Sequence, residues 1–384
     1  MSSTASRAGF VGDRVSQRLR GLPLPARTLA VHVGGQLLCL LVVAALAVAR
    51  HRDLLPTLAV WDGRHFLAIA THGYDVVSGD RVPNSPAFFP GLPGLMALLS
   101  AALGIPALWA GLLVSWLSGL AASLGLVRLA PHLPGLRGQR ALVLVAVFAL
   151  APMSVVLLMV YTEALFCALA AWGLALLLER RWLAAGLLAC AAGLVRPTGL
   201  AVAGAVVAAA VVACVEGRDS WRSWLAALLA PLGFVGYVAW VGLRMGRPMA
   251  WFAVQREGWG THVDFGVGTA RYVLQTLRDA PALLDVVTVA TMTAAVVLFV
   301  ICVRQRQPWP VLLYSGLILL EVLGSDGIMN SRVRLLMPAF PLLAPIAARL
   351  ARERLPHLTV LLLGGGLVTC WYSAYAVLIY PYAI

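Results

Sequence analysis

The chain of 384 residues contains no lysine, and its aspartates and glutamates together number only 16. Charged residues make up 12% of it, too little polar surface to cover a soluble globule of that length. A mean hydropathy of +0.88 says the same, so the chain is expected in a bilayer. All 29 basic residues are arginines, scattered between apolar runs and not gathered in one patch, which reads as a topology signal and argues against a nucleic-acid partner. Cys39, Cys167, Cys190, Cys214, Cys302 and Cys370 all fall in apolar segments, with no CxxC and no histidine at metal-ligand spacing. They are expected to be small buried apolar residues, forming neither a disulfide framework nor a zinc site. No internal repeat and no low-complexity segment divides the chain. It therefore reads as a cytoplasmic basic leader over residues 1–27 and a single membrane domain over 28–384.

What the chain does contain is apolar runs. They lie near residues 28–49, 106–128, 140–158, 163–179, 182–195, 198–215, 224–243, 285–303, 309–323, 335–348 and 358–378. The first ends in Ala47-Val48-Ala49, the pattern of a signal-peptidase site, but the run is about twice the usual signal core and reads as an uncleaved anchor. A further apolar piece, Phe88 to Ile105, opens with FFPGLPG and breaks again at Gly104-Ile105-Pro106. If it stays out of the bilayer, one side of the membrane collects 17 of the 29 arginines and only 5 of the 16 acidic residues. If it crosses, most arginine-rich loops move outward, against the positive-inside tendency. The expectation is an all-α integral membrane protein of about 11 transmembrane helices, N-terminus in the cytoplasm and C-terminus outside. Two substantial loops, 50–105 and 244–284, then face the extracytoplasmic side of the plasma membrane.

The first outer loop holds VWDGRHFLAIATHGYD, residues 60–75. The pattern predicts a helix from Gly63 to His72, with Asp62 at the N-cap and Gly73 as the stop. Asp62, His65, Phe66, Ile69 and His72 then share one face. Asp62 reads either as a cap alone or as a partly desolvated carboxylate able to act as a base. Asp62, Asp75, Asp80 and His65 share this loop, but their spacing fits no standard metal site, and no metal or other cofactor is expected.

WDGRHFLAIATHGYD followed by AFFPGLPGL resembles the first loop of the PIG-V-like family, that is, GPI mannosyltransferase II of eukaryotes and its bacterial relatives. These belong to the GT-C class of polyprenyl-phosphate-sugar-dependent glycosyltransferases. In the same order along the chain, APMSVVLLMVYTEALF (151–166), GLVRPTGL (193–200), VQREGWG (254–260) and RLLMPAFPLL (334–343) are similar to later motifs of that family. The connection DVVSGDRVPNSPA departs from it, being longer than the short acidic link of eukaryotic members, so the acceptor side of the pocket is expected to differ.

The resemblance implies a GT-C multi-helix bundle with the proline-containing stretch along the outer interface. It also implies inverting transfer of a hexose, mannose for preference, from a polyprenyl-phosphate-sugar donor to a lipid, glycan or protein hydroxyl at the outer face. Asp62 is then the base. Arg196 and Arg334, with Arg332 nearby, are candidates for the donor phosphate, against the alternatives that Arg196 pairs with Glu163 and that the other two are surface charge. Glu163 either bridges to an arginine or binds acceptor. Gln255 and Trp259 suit a sugar ring, or anchor the second outer loop. His65 orients Asp62 or meets the acceptor. Two other readings stay open: a transporter or flippase for a lipid-linked substrate, and an inactive scaffold in envelope glycan assembly.

Overall fold

The computed structural model describes residues 21–74, 85–217, 221–279 and 281–384. Most of the leader, Asp75, Asp80 and most of the 75–87 connection lie outside the described residues. In chain order the helices are α1 (Leu24–Ala49), α2 (Leu54–Thr57), α3 (Asp62–His72), α4 (Gly91–Leu103), α5 (Ala107–Leu129), α6 (Ala141–Ala149), α7 (Glu163–Leu178), α8 (Trp182–Val195), α9 (Gly199–Val215), α10 (Trp221–Leu229), α11 (Leu232–Arg244) and α12 (Ala250–Trp259). Then follow strand β1 (His262–Val263), α13 (Val267–Arg278), α14 (Leu283–Arg304), α15 (Trp309–Leu323), strand β2 (Ser325–Asp326), α16 (Arg332–Leu335), α17 (Ala344–Leu350) and α18 (Leu355–Leu378). The strands form one antiparallel pair, His262 opposite Asp326.

Five segments among the described residues are long and apolar enough to cross a membrane: α1, α5 with its terminal turn, α10–α11, α14 and α18. A sixth arises if the pair Met329–Leu335 and Met337–Leu350, bent by 55°, is one span. The count of eleven is thus not reached by length. The remaining apolar helices have 10–17 residues, and at 1.5 Å per residue they fall short of the roughly 20 residues that a 30 Å core requires.

The departure is largest at 140–158, where hydropathy predicts one span. Pro152 disfavours helix in the residue before it, and α6 stops at Ala149. Residues 151–162 continue as buried chain with a 3₁₀ turn at Ser154–Leu157 and a left-handed Met153 (φ 66°). Irregular backbone is tolerable at that depth only if protein satisfies it. Gln36 Nε2 donates to the Ala149 carbonyl (3.0 Å), Thr369 Oγ1 to Leu150 (2.6 Å), and Val160 N–H to Leu58 (2.9 Å).

The bundle has two distinct ends. α5 and α7 run parallel: Trp172 Nε1 donates to Ala121 (2.8 Å), and Arg128 at the finish of α5 pairs with Glu179 beyond α7. The same end holds Arg27, which donates to Gln139 (3.2 Å), and Gly135, packed against Ala348. The starts of α5 and α7 lie at the opposite end, with Asp62. There α4 seats its first residue on the finish of α8, where a Cβ on Gly91 would come within 2.8 Å of the Leu194 carbonyl oxygen. Its last turn leads through Gly104 (φ 64°) straight into α5. Both ends of α4 therefore lie toward the Asp62 end.

Candidate functional site

Pro197 holds Arg196 in an extended conformation (φ −165°, ψ 161°), breaking the apolar run into α8 and α9 and freeing the guanidinium at the break. Arg196 Nη1 lies 3.0 Å from Glu163 Oε1, at the first turn of α7. The same oxygen is 3.6 Å from Arg334 Nε, and Arg334 Nη1 donates to Asp62 Oδ2 at 2.5 Å. Asp62, Arg334, Glu163 and Arg196 thus form one alternating row of charge. Glu163 is 1% exposed, Arg196 7% and Arg334 8%, whereas the Asp62 side chain is 23% exposed. The row opens to solvent at its aspartate end only.

Two supports hold it. The Tyr161 ring lies under the Arg334 guanidinium at 4.9 Å, a cation–π distance, and its hydroxyl donates to the Val60 carbonyl (3.2 Å). Trp61 adopts φ 50°, ψ −113°, a strained conformation for a bulky residue immediately before Asp62. The expected cap is corrected here: α3 starts at Asp62 itself, whose side chain points to Arg334 and not to the helix backbone. Gly73 (φ 72°) does end the helix. The buried residues of α3 are Gly63, Phe66 and Ile69, whereas His72 is exposed, so the shared face extends only part of the way.

Arg332 goes elsewhere. Two residues from Arg334 on a helical turn, it points to roughly the opposite side. Its guanidinium donates to the carbonyls of Val322 and of Ser325 (2.5 Å) and to Ser325 Oγ (3.1 Å). It caps the finish of α15 and ties down β2, apart from the charge row.

The loops 50–105 and 244–284 meet through aromatic rings. His65 stacks on Phe88 (4.6 Å, 21°), and Trp259 packs edge-on to Phe88 (5.4 Å) and to His65 (6.0 Å). Gln255 Nε2 donates to the Ala87 carbonyl (3.1 Å), so its amide docks α12 on the first loop. Burial holds the His65 imidazole below its ordinary pKa, against the pull of the nearby Asp62 charge. His65 makes no hydrogen bond to Asp62, and its Nδ1 is buried without a partner.

Of the expected site residues, Asp62, Glu163, Arg196 and Arg334 are brought together. His65, Gln255 and Trp259 form the neighbouring loop contact, and Arg332 stands apart. Tyr161, Phe88 and Trp61 were missed as supports, although each lies inside a motif quoted above. Among the described residues no three His, Cys, Asp or Glu side chains are grouped to hold a metal, and all six cysteines are free. Comparison with protein-family models and with curated proteins finds no match.

Proposed function

We propose that the chain is a membrane glycosyltransferase of GT-C type, acting at the extracytoplasmic face of the plasma membrane. It moves a hexose, mannose by the motif resemblance, from a polyprenyl-phosphate-sugar to an acceptor hydroxyl with inversion. The observation that carries this reading is the partly exposed Asp62 carboxylate, hydrogen-bonded to a buried guanidinium where motifs 272 residues apart converge. Five long helices, the bent pair and five shorter apolar helices, α4 set aside, run between the two ends and make eleven passes in this proposal. Gathering arginine-rich connections at the far end supports a cytoplasmic location for that end.

In the proposed step Asp62 takes the proton of the acceptor hydroxyl, whose oxygen attacks the anomeric carbon from the face opposite the phosphate. The bond from that carbon to the phosphate oxygen breaks, and its electron pair leaves with the polyprenyl phosphate. Arg334, backed by Arg196 through Glu163, stabilises the departing charge. Trp259 offers its ring to the sugar beside Phe88. Glu163 positions two arginines, and Arg332 drops from the donor-binding set.

Purified protein in nanodiscs should transfer labelled mannose from a polyprenyl-phosphate donor to an endogenous lipid or glycan extract, and Asp62→Asn should abolish transfer while inserting normally. Undiminished turnover by the Asn variant would refute the base assignment. For orientation, a membrane-impermeant thiol reagent should label Val263→Cys but not Arg137→Cys in a cysteine-free background. The reverse pattern would invert the topology.

A further inference from the structure

Arg334 makes a single hydrogen bond, and its partner is the carboxylate just proposed as the base. We propose that Asp62 and the phosphate of the lipid-linked donor compete for Arg334, so that donor binding itself releases the base; this rests on the transferase reading above.

Two carboxylates and two guanidiniums balance within the row, so a phosphate that docks on the row must take a guanidinium from its present carboxylate. One existing pair must open. The Arg196–Glu163 pair is sealed, with Glu163 1% exposed and its Oε2 already without a hydrogen-bond partner, so separating it would strand a buried charge. Asp62 is the most exposed member of the row, its side chain 23% exposed against 10% or less for the others, and it can exchange its guanidinium partner for water or an acceptor hydroxyl at little desolvation cost. Arg334 stays put during the exchange, because the Tyr161 ring lies against it and Glu163 flanks its Nε. A phosphate presents the same oxygen geometry to the planar fork as the carboxylate it replaces.

The exchange makes binding ordered. While Asp62 is held by Arg334, its Oδ2 lone pair is engaged; once phosphate takes the guanidinium, both oxygens are available to the acceptor. No bond is made or broken, and the only change is of hydrogen-bond partner.

Full-length protein in nanodiscs is titrated with farnesyl phosphate, with farnesol and inorganic phosphate as companion probes. Asp62→Asn removes the competing charge and should tighten farnesyl phosphate binding by roughly tenfold, whereas Asp62→Glu keeps the competitor and stays near wild type. Farnesol binding should be unchanged. The same tightening for inorganic phosphate would support the exchange and assign it to the phosphate group alone. If wild type binds farnesyl phosphate and the Asn variant binds it equally or more weakly, the competition is overturned while the transferase reading stands. If neither binds it, both fall. Should the Asn variant not fold, infrared difference spectra of wild type carrying ¹³C-labelled aspartate decide: farnesyl phosphate, but not farnesol, should shift a carboxylate band, and an unshifted band overturns the proposal.

Discussion

The two ends of the bundle use the same residue types in opposite ways. At the arginine-rich end, Arg128 and Glu179 make two hydrogen bonds (2.7 and 2.6 Å) with side chains 31% and 25% exposed, and Arg349 pairs with Glu353 within one turn at the surface. At the Asp62 end the pairs are sunk among apolar side chains. Exposed pairs are screened and contribute little, whereas buried ones carry a desolvation penalty that apolar replacements would avoid. A chain with so few charges gathers four of them in one row and buries three, an arrangement that burial penalises and that the proposed chemistry would account for. In the proposed function the first end faces the cytoplasm and the second holds the reaction.

The contrast breaks most sharply by removing one carboxylate at each end. Glu163→Ala leaves two buried guanidiniums short of a counter-charge and should destabilise by about 3–5 kcal/mol, while Glu179→Ala should cost no more than about 1 kcal/mol. Thermal unfolding in nanodiscs compares them directly, and equal losses would erase the distinction. A smaller separation is expected between the two arginines of α16. Arg334→Ala should abolish farnesyl phosphate binding. Arg332→Ala should leave that binding intact while costing about 1–3 kcal/mol through the unsatisfied carbonyls of Val322 and Ser325. Loss of binding in both would return Arg332 to the site.

The smallest effect sharpens the role of the loop contact. His65 is held below its ordinary pKa of 6.5 by burial, so the docked loop keeps it neutral while a released loop lets it take a proton near that value. Docking should be at full strength above about pH 6.5 and weaken as pH falls below it. Trp259 fluorescence quenching should follow that course, and His65→Phe should flatten it. A pH-independent signal in the wild type would contradict the stacking account.

The helical character and the five long spans could be read from hydropathy, because a long span announces itself by the length of its apolar run. The stop at Gly73 and the break at Arg196-Pro197 followed from turn chemistry. The buried irregular stretch after Ala149 did not, since an apolar run looks the same whether it is helical or threaded through protein. Nor could spacing pair Asp62 with Arg334 across 272 residues. Their divergence from Arg332, however, was available: residues two apart on a helix face different ways.

The most direct measurement is a cryo-EM map of the protein in nanodiscs saturated with a polyprenyl phosphate. Phosphate density is expected against the Arg334 guanidinium, with the Asp62 carboxylate turned away from it and a prenyl chain leading into the lipid. Phosphate density at the arginine-rich end, or an Asp62–Arg334 pair unchanged beside a phosphate bound elsewhere, would contradict it.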